Sequence, residues 1–391
     1  MQYLAQELVD HIIDTIADTP NRRFTTERTL ATCTLVARAW LPRSSTHLFE
    51  RIALRPDDLE QFFSALETCH RLVANVAELE LTSGPYAGLE SVAALLLLRP
   101  PRLRRIVYQD YLLLSGGRGD IHLKHARVPM PVVDSRRLTH LKLQSVDAFA
   151  LSQLLAHFDD LDTLELDPQH RYPFYRACAE SPWPIPPHLR VRKFILADVA
   201  AASALGYVRV LRAHLSPSAL KIMAFKGFCA DKDGPYVNGA LRDLSRGAED
   251  LSLCFYDKDI TIDPESASSS KYHMAALEGC SNVQRISISF IDCRQQFPWA
   301  CESILPYLSL SIRRLILLLC GPADLRRLVH ARMDTFERSL AKCDKLEALE
   351  IRVTGAAMWA NSETKLFDEM RDALPKVLSG RLAALTSIVL L

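Results

Sequence analysis

Glycine is scarce in this sequence, with 14 glycines among 391 residues. Folds that bind nucleotides through glycine-rich loops are therefore disfavoured. An excess of one charge is also absent, because 47 Lys and Arg residues nearly balance 46 Asp and Glu residues and leave a formal net charge of +1. This balance argues against a strongly basic nucleic-acid-binding protein and against a polyacidic chain.

Long apolar segments are missing as well. The most apolar runs are residues 93–98 and 315–320, far shorter than the roughly 20 residues of a membrane-spanning helix. Residues 1–17 have no basic start and carry three acidic residues, so they do not resemble a signal peptide. No Asn-x-Ser/Thr sequon occurs. We expect a protein of the cytoplasm or the nucleus that does not contact a membrane.

Patterns that bind metals or perform catalysis are also absent. The ten cysteines include no Cys-x-x-Cys pair and no zinc-ligand spacing. The glycines at 116–119 are not followed by the Lys-Ser/Thr of a phosphate-binding loop. No Gly-x-Ser-x-Gly or His-Glu-x-x-His motif is present. The sequence therefore predicts reduced, buried cysteines, no metal, no cofactor and no catalytic residue.

Apolar residues recur at helical spacing in the first fifty residues. One stripe consists of Leu4, Leu8, Ile12, Ile13 and Ile16. A second consists of Leu30, Cys33, Val36 and Trp40. Thr26 and Pro42 predict the start and the end of this second helix, and a third apolar segment covers residues 45–52. Residues 1–54 are therefore predicted to form a small bundle of three helices.

A different pattern, L-x-x-L-x-L, recurs from residue 55 to residue 391. Eleven segments of this kind occur, at residues 77–81, 103–108, 138–143, 161–166, 191–196, 220–225, 248–253, 283–288, 312–317, 346–351 and 385–390. Helical stretches are predicted between many of them, at residues 57–72, 89–98, 148–157, 200–213, 271–277, 333–341 and 363–378. A spacing of about 30 residues is typical of a repeat array.

The fold class that this pattern predicts is α/β, with a helical module followed by a curved solenoid of about 10–11 strand-helix repeats. A doubly wound α/β sheet is the alternative. No glycine-rich turn follows any of the strands, and eleven strands are many for one open sheet, so we favour the solenoid. Cys280 and Cys343 each precede a strand by three residues and are predicted to be buried where helix and strand meet.

Charged residues alternate with the apolar ones along the predicted strands, and the period of two places them on the outward, concave face. They are Glu80, Lys142, Glu165, Lys193, Lys226, Arg285, Arg314 and Glu350. The two signs nearly balance, whereas a groove that follows a phosphate backbone would be one-sided. We therefore expect this face to bind a protein and not a nucleic acid.

The N-terminal segment resembles the F-box. The resemblance lies in residues 4–13, LAQELVDHII, and residues 30–40, LATCTLVARAW, which match the two halves of that motif at the right spacing. The continuation to Ile52 looks like the F-box-like group of mushroom-forming fungi. Ala5 stands where the family usually has proline, which weakens the start of the helix. The repeats behind it resemble irregular leucine-rich repeats.

This resemblance implies a partner and a role. In the F-box family, apolar residues of the first two helices dock on the Skp-type adaptor of a cullin-RING ubiquitin ligase, which implicates Leu4, Leu8, Ile12, Leu35 and Val36. Residues 55–391 would then capture an unknown protein substrate. The alternative is a non-catalytic leucine-rich-repeat scaffold, in which the same helices only cap the solenoid and these residues are buried.

Overall fold

The structure is a computed structural model. It describes residues 5–18, 23–55, 74–83, 101–110, 138–144, 146, 148–156, 158–167, 189–197, 201–216, 218–228, 230–256, 274–291, 304–321, 333–354, 361–378 and 380–390, and the single residues 58, 61, 62, 64, 68, 324 and 326. The chain divides into two compact units, Met1–Val146 and Asp147–Leu391. Each unit is described separately below.

The first unit begins with three helices, α1 (Gln6–Ala17), α2 (Arg23–Val36) and α3 (Leu41–Glu50). Val9, Ile13 and Leu30 form the core of this module, and Trp40 and Leu48 pack against it. The predicted end of the second helix is wrong, because α2 ends at Val36 and Pro42 lies in the first turn of α3. Proline fits there because the first-turn N–H groups have no partner within a helix.

Four parallel strands follow in the first unit, in the order of the sequence. They are β1 (Arg51–Leu54), β2 (Glu78–Ser83), β3 (Arg105–Asp110) and β4 (His140–Gln144). Strand β1 was not predicted, and it begins directly after α3. Leu79, Ile106 and Leu141 lie opposite one another in successive strands and are almost fully buried, so they form one inward row.

The second unit contains eight parallel strands, again in the order of the sequence. They are β5 (Asp160–Asp167), β6 (Arg190–Ala197), β7 (Ile222–Phe228), β8 (Asp250–Tyr256), β9 (Arg285–Ile291), β10 (Arg314–Leu319), β11 (Ala348–Val353) and β12 (Thr386–Leu390). A row of buried side chains crosses β5–β11 through Leu164, Phe194, Met223, Leu251, Ile286, Leu315 and Leu349.

Helices and single 3₁₀ turns connect these strands. The helices are α4 (Ala148–Leu155), α5 (Ala201–His214), α6 (Ala230–Leu244), α7 (Met333–Ala341), α8 (Asn361–Val377) and α9 (Gly380–Leu385). The 3₁₀ turns are Ser245–Gly247, Ala275–Gly279 and Leu305–Tyr307. A 3₁₀ turn begins at Ala275 within the helix predicted at 271–277, of which residues 271–273 lie outside the described residues. Helix α6 was not predicted. The predicted helix at 89–98 and most of that at 57–72 lie outside the described residues.

The strand order decides between the two architectures that the sequence allowed. A doubly wound sheet reverses its strand order at a switch point. Within each unit the order follows the sequence without such a reversal, so neither half is doubly wound. The protein is thus α/β, with three N-terminal helices and parallel strands in sequential order, the connectivity of a strand-helix repeat array.

Candidate protein-interaction surfaces

The helical module leaves several apolar side chains uncovered. Leu35 and Val36, at the end of α2, are 86% and 60% exposed, and Leu8 on α1 and Leu41 at the start of α3 are both 46% exposed. Ile12 is half-buried, and Leu4 lies outside the described residues. Since the core of the module is filled by other residues, these side chains remain available to a partner.

Leu41 was missed in the sequence because Pro42 was interpreted as the end of α2. The sequence does contain the signal, since Leu41 follows Leu35 and Val36 closely along the chain. In the structure, the four residues between α2 and α3 form a turn, and the side-chain amide of Gln6 donates a hydrogen bond to the carbonyl of Ala39 in this turn at 3.1 Å.

Asp14 holds α1 against α3. Arg43 donates two hydrogen bonds to its carboxylate, from Nε at 2.6 Å and from Nη2 at 2.8 Å, and His47 Nε2 lies 2.8 Å from Oδ1. The hydrogen bonds from Arg43 and then from His47 lower the pKa of Asp14 from 3.8 to about 2. This network fixes the helices that carry Leu8 and Leu41.

The charged residues predicted to face outward alternate with buried residues in the strands, as the period of two requires. Glu80, Lys142, Glu165, Lys193 and Glu350 are half-buried, and Lys226, Arg285 and Arg314 are exposed. We use the term outer face for the strand residues that alternate with the inward rows. The eight residues do not form one continuous ladder of charges.

The middle of the outer face in the second unit is uncharged. The register row that contains Glu165 and Glu350 passes between them through Ile195, Ala224, Ser252, Ser287 and Ile316. Its charges therefore lie at the two ends of the row. The side chains between them are mostly covered, since Ile195, Ala224 and Ile316 are buried. The accessible part of this face therefore consists largely of the charged side chains around the row.

Several charges on the outer face neutralise each other. Glu350 lies 3.3 Å from Arg314 and 2.6 Å from Arg352, and Asp250 lies 3.3 Å from Arg285. In the first unit, Glu78 lies 3.5 Å from both Arg51 and Arg105, its neighbours in the adjacent strands. These pairs explain how a face rich in charged residues stays nearly neutral.

A buried serine-histidine contact joins α4 and α5. Ser152 Oγ lies 2.6 Å from His214 Nε2, and both residues are 1% exposed. A nucleophilic serine needs a route for its substrate, and neither side chain reaches the surface. We interpret this pair as a buried polar link between two helices.

The buried positions of Cys280 and Cys343 confirm the prediction from their spacing, as both are 1% exposed. Burial raises the pKa of each thiol. Among the residues that the structure describes, no group of three or more His, Cys, Asp or Glu side chains is placed to hold a metal ion. Within the same residues, no helix combines the length and the apolar character needed to cross a membrane.

No protein-family model matches this sequence, and no curated protein matches it.

Proposed function

We propose that this protein is an F-box-like substrate receptor, which binds a Skp-type adaptor through its N-terminal helices. The observation that carries the proposal is the exposure of Leu8, Leu35, Val36 and Leu41 on a helical module whose core is already complete. Exposed apolar side chains of this size favour a partner surface that covers them. Through the adaptor, the protein would join a cullin scaffold in the cytoplasm or nucleus.

In this proposal the strand array binds the protein substrate. The accessible side chains on the outer face of β5–β12 carry charges of both signs, such as Lys193, Lys226 and Glu350, which suits a protein substrate and not a continuous phosphate backbone. The receptor would perform no covalent chemistry of its own. It would raise the effective concentration of the substrate next to the ligase.

The experiment is co-purification of the full chain with a Skp-type adaptor. Leu35→Lys together with Val36→Lys should reduce the recovered adaptor more than tenfold, because two apolar contacts are lost. Lysine is chosen because a positive charge is favourable in the last turn of a helix. The matched control is Leu310→Lys, since Leu310 is 58% exposed but lies in the second unit. No recovery of adaptor with the unaltered chain contradicts the proposal.

A second function remains as an alternative, namely a scaffold whose helices only cap the repeats. The observation in its favour is that α3 runs directly into β1, and Ala77 N donates a hydrogen bond to Glu50 O at 3.0 Å. Leu35 and Val36 are exposed, so the Leu35→Lys, Val36→Lys variant should keep its melting temperature under both functions. If the helices act only as a cap, neither the unaltered protein nor the variant should recover the adaptor. If the helices dock an adaptor, the unaltered protein should recover it and the variant should not.

A further inference from the structure

A polar groove runs along the edge of the second unit where its strands begin. The residues immediately before β7–β11 are Lys221, Glu249, Gln284, Arg313 and Glu347. They lie in register, because the carbonyl of each of the first four accepts hydrogen bonds from the next strand, for example Lys221 O from the N–H groups of Glu249 and Asp250 at 2.8 and 3.0 Å. The groove is thus built on a regular backbone edge.

The groove has a volume of about 470 Å³. Its described lining residues are Ser218, Lys221, Arg246, Gly247, Glu249, Ser281, Asn282, Gln284, Ser311, Arg313 and Lys345. Four of them are cations and one is a carboxylate, and none is aromatic. The groove therefore carries an excess of positive charge, in contrast to the nearly neutral outer face.

Two of the four cations are already paired. Lys221 Nζ lies 2.7 Å from Glu249, and Arg313 Nη1 lies 3.2 Å from Glu347. Arg246 and Lys345 are exposed and form no ion pair with any residue that the structure describes. They are therefore the positive charges that an incoming anionic group can use without breaking an existing pair.

The walls between these two cations are held in place by side-chain hydrogen bonds. Asn282 donates a hydrogen bond from Nδ2 to the carbonyl of Arg246, and Ser311 Oγ donates to the carbonyl of Val283 at 2.8 Å. The backbone that carries Arg246 is thus fixed to the following repeat. Ser281 and Gln284 add further polar groups to the lining.

We propose that this groove binds an extended acidic peptide segment through Arg246 and Lys345. The two residues precede strands that are three positions apart, so the strand starts are separated by about 14 Å at the usual strand spacing. Acidic side chains four residues apart in an extended peptide span about 13 Å, which matches this separation. The site is separate from the helical module, so it does not depend on the proposed adaptor.

Single-stranded nucleic acid fits the groove less well than a peptide does. Glu249 and Glu347 neutralise Lys221 and Arg313, which leaves two discrete positive charges, whereas a continuous phosphate backbone needs an uninterrupted row of them. Nucleic-acid channels also present aromatic side chains on which bases stack, and none of the described lining residues is aromatic. Two discrete carboxylates avoid both disadvantages.

The test is fluorescence anisotropy with the full chain and a labelled twelve-residue Gly/Ser peptide that carries two Glu residues four positions apart. We expect saturable binding that weakens as NaCl is raised, and at least tenfold weaker binding when both Glu are replaced by Gln. Arg246→Glu with Lys345→Glu should also weaken binding at least tenfold. The matched control, Arg209→Glu with Lys376→Glu, reverses the same number of exposed charges outside the groove and should change binding less than twofold.

Three outcomes would overturn the proposal. They are no measurable binding of the Glu peptide, equal binding by the Arg246→Glu, Lys345→Glu variant with an unchanged melting temperature, and tighter binding of a labelled twelve-nucleotide single-stranded DNA than of the peptide. The last outcome would assign the groove to nucleic acid. Because the N-terminal helices take no part in this assay, a failure here is distinguishable from a failure to recover the adaptor.

Discussion

Asp14 is a residue at which the helical module responds to pH. Its pKa is lowered to about 2 by Arg43 and then His47, so the carboxylate favours the folded module above pH 4. The stabilisation should decline as the pH falls below about 4 and be lost only below pH 2, where the folded-state carboxylate is protonated. We expect Asp14→Asn to lower the free energy of unfolding by about 0.5 to 1 kcal/mol at pH 7, since the pair is partly exposed, and this difference to shrink steadily toward pH 2.

This pH dependence is measured by urea unfolding of both proteins at several pH values. Asp18→Asn is the control, because Asp18 is exposed at the end of α1 and forms no ion pair with a described residue. A difference between Asp14→Asn and the unaltered protein that stays constant from pH 7 to pH 2 would show that Arg43 and His47 do not depend on the charge of Asp14.

The cysteines provide a second prediction at the scale of single residues. Cys320 is exposed, whereas Cys280 and Cys343 are buried and burial raises the pKa of both thiols. Because the thiolate is the reactive form and must also be accessible, iodoacetamide should modify Cys320 at least tenfold faster. Peptide mass spectrometry of the labelled native protein measures this ratio. Comparable rates at Cys280 would mean that the joint before β9 opens readily.

At the scale of elements, α6 and β1 show where sequence patterns fail. Helix α6 has a regular buried stripe, Val237, Ala240, Leu241 and Leu244, which the spacing of the residues could have revealed. Gly234, Pro235 and Gly239 interrupt the segment and favour a loop by local preference, but packing of the stripe outweighs that preference. Strand β1 has only four residues, too few for an alternating pattern to stand out.

Two glycines in helices give opposite expectations for the same substitution. Gly239 lies within α6, and a Cβ added there meets no atom within 4 Å. Gly239→Ala should therefore raise the free energy of unfolding by about 0.5 to 1 kcal/mol, because alanine restricts the unfolded chain. Gly380, at the start of α9, has a φ of +43°, a backbone conformation that alanine disfavours. Gly380→Ala should therefore lower the free energy of unfolding by about 1 kcal/mol, although the added Cβ meets no atom.

Chemical unfolding of the two glycine variants beside the unaltered protein tests this pair. The comparison is internally controlled because both substitutions add one methyl group without a steric contact. Equal and stabilising effects would contradict the left-handed backbone at Gly380, and a destabilising Gly239→Ala would contradict the helical backbone at Gly239.

At the scale of the whole molecule, the alternation of apolar residues is the sequence pattern that predicts the strands. All eleven predicted strands occur, each beginning within two residues of its expected position, because β2–β11 each place two apolar side chains in the inward rows of their unit, and β12 places Thr386 and Ile388 there. The uncharged centre of the outer face was also readable, since Ala224, Ser252 and Ser287 occupy the same place in successive repeats. The ion pairs of Glu350 could not be predicted from the sequence, because they depend on side-chain conformation.

Sequential strand order has a consequence for how the second unit unfolds. In an array where each repeat contacts only its neighbours, damage at one end should remain local. Leu251 in β8 is 2% exposed and has strands on both sides, so Leu251→Ala should cost about 3 kcal/mol. Ile388 in β12 is only partly buried, so Ile388→Ala should cost about 1 kcal/mol.

Hydrogen-deuterium exchange distinguishes this nearest-neighbour behaviour from global cooperativity. Ile388→Ala should speed exchange in β12 and β11 and leave β5–β9 protected, since those strands share no contact with the altered side chain. Leu251→Ala should speed exchange on both sides, in β7 and in β9, because it lies in the row that joins Met223 to Ile286. If Ile388→Ala removed protection equally from β5 to β12, the strands would form a single cooperative block, and the repeats could not be treated as separate contributions to stability.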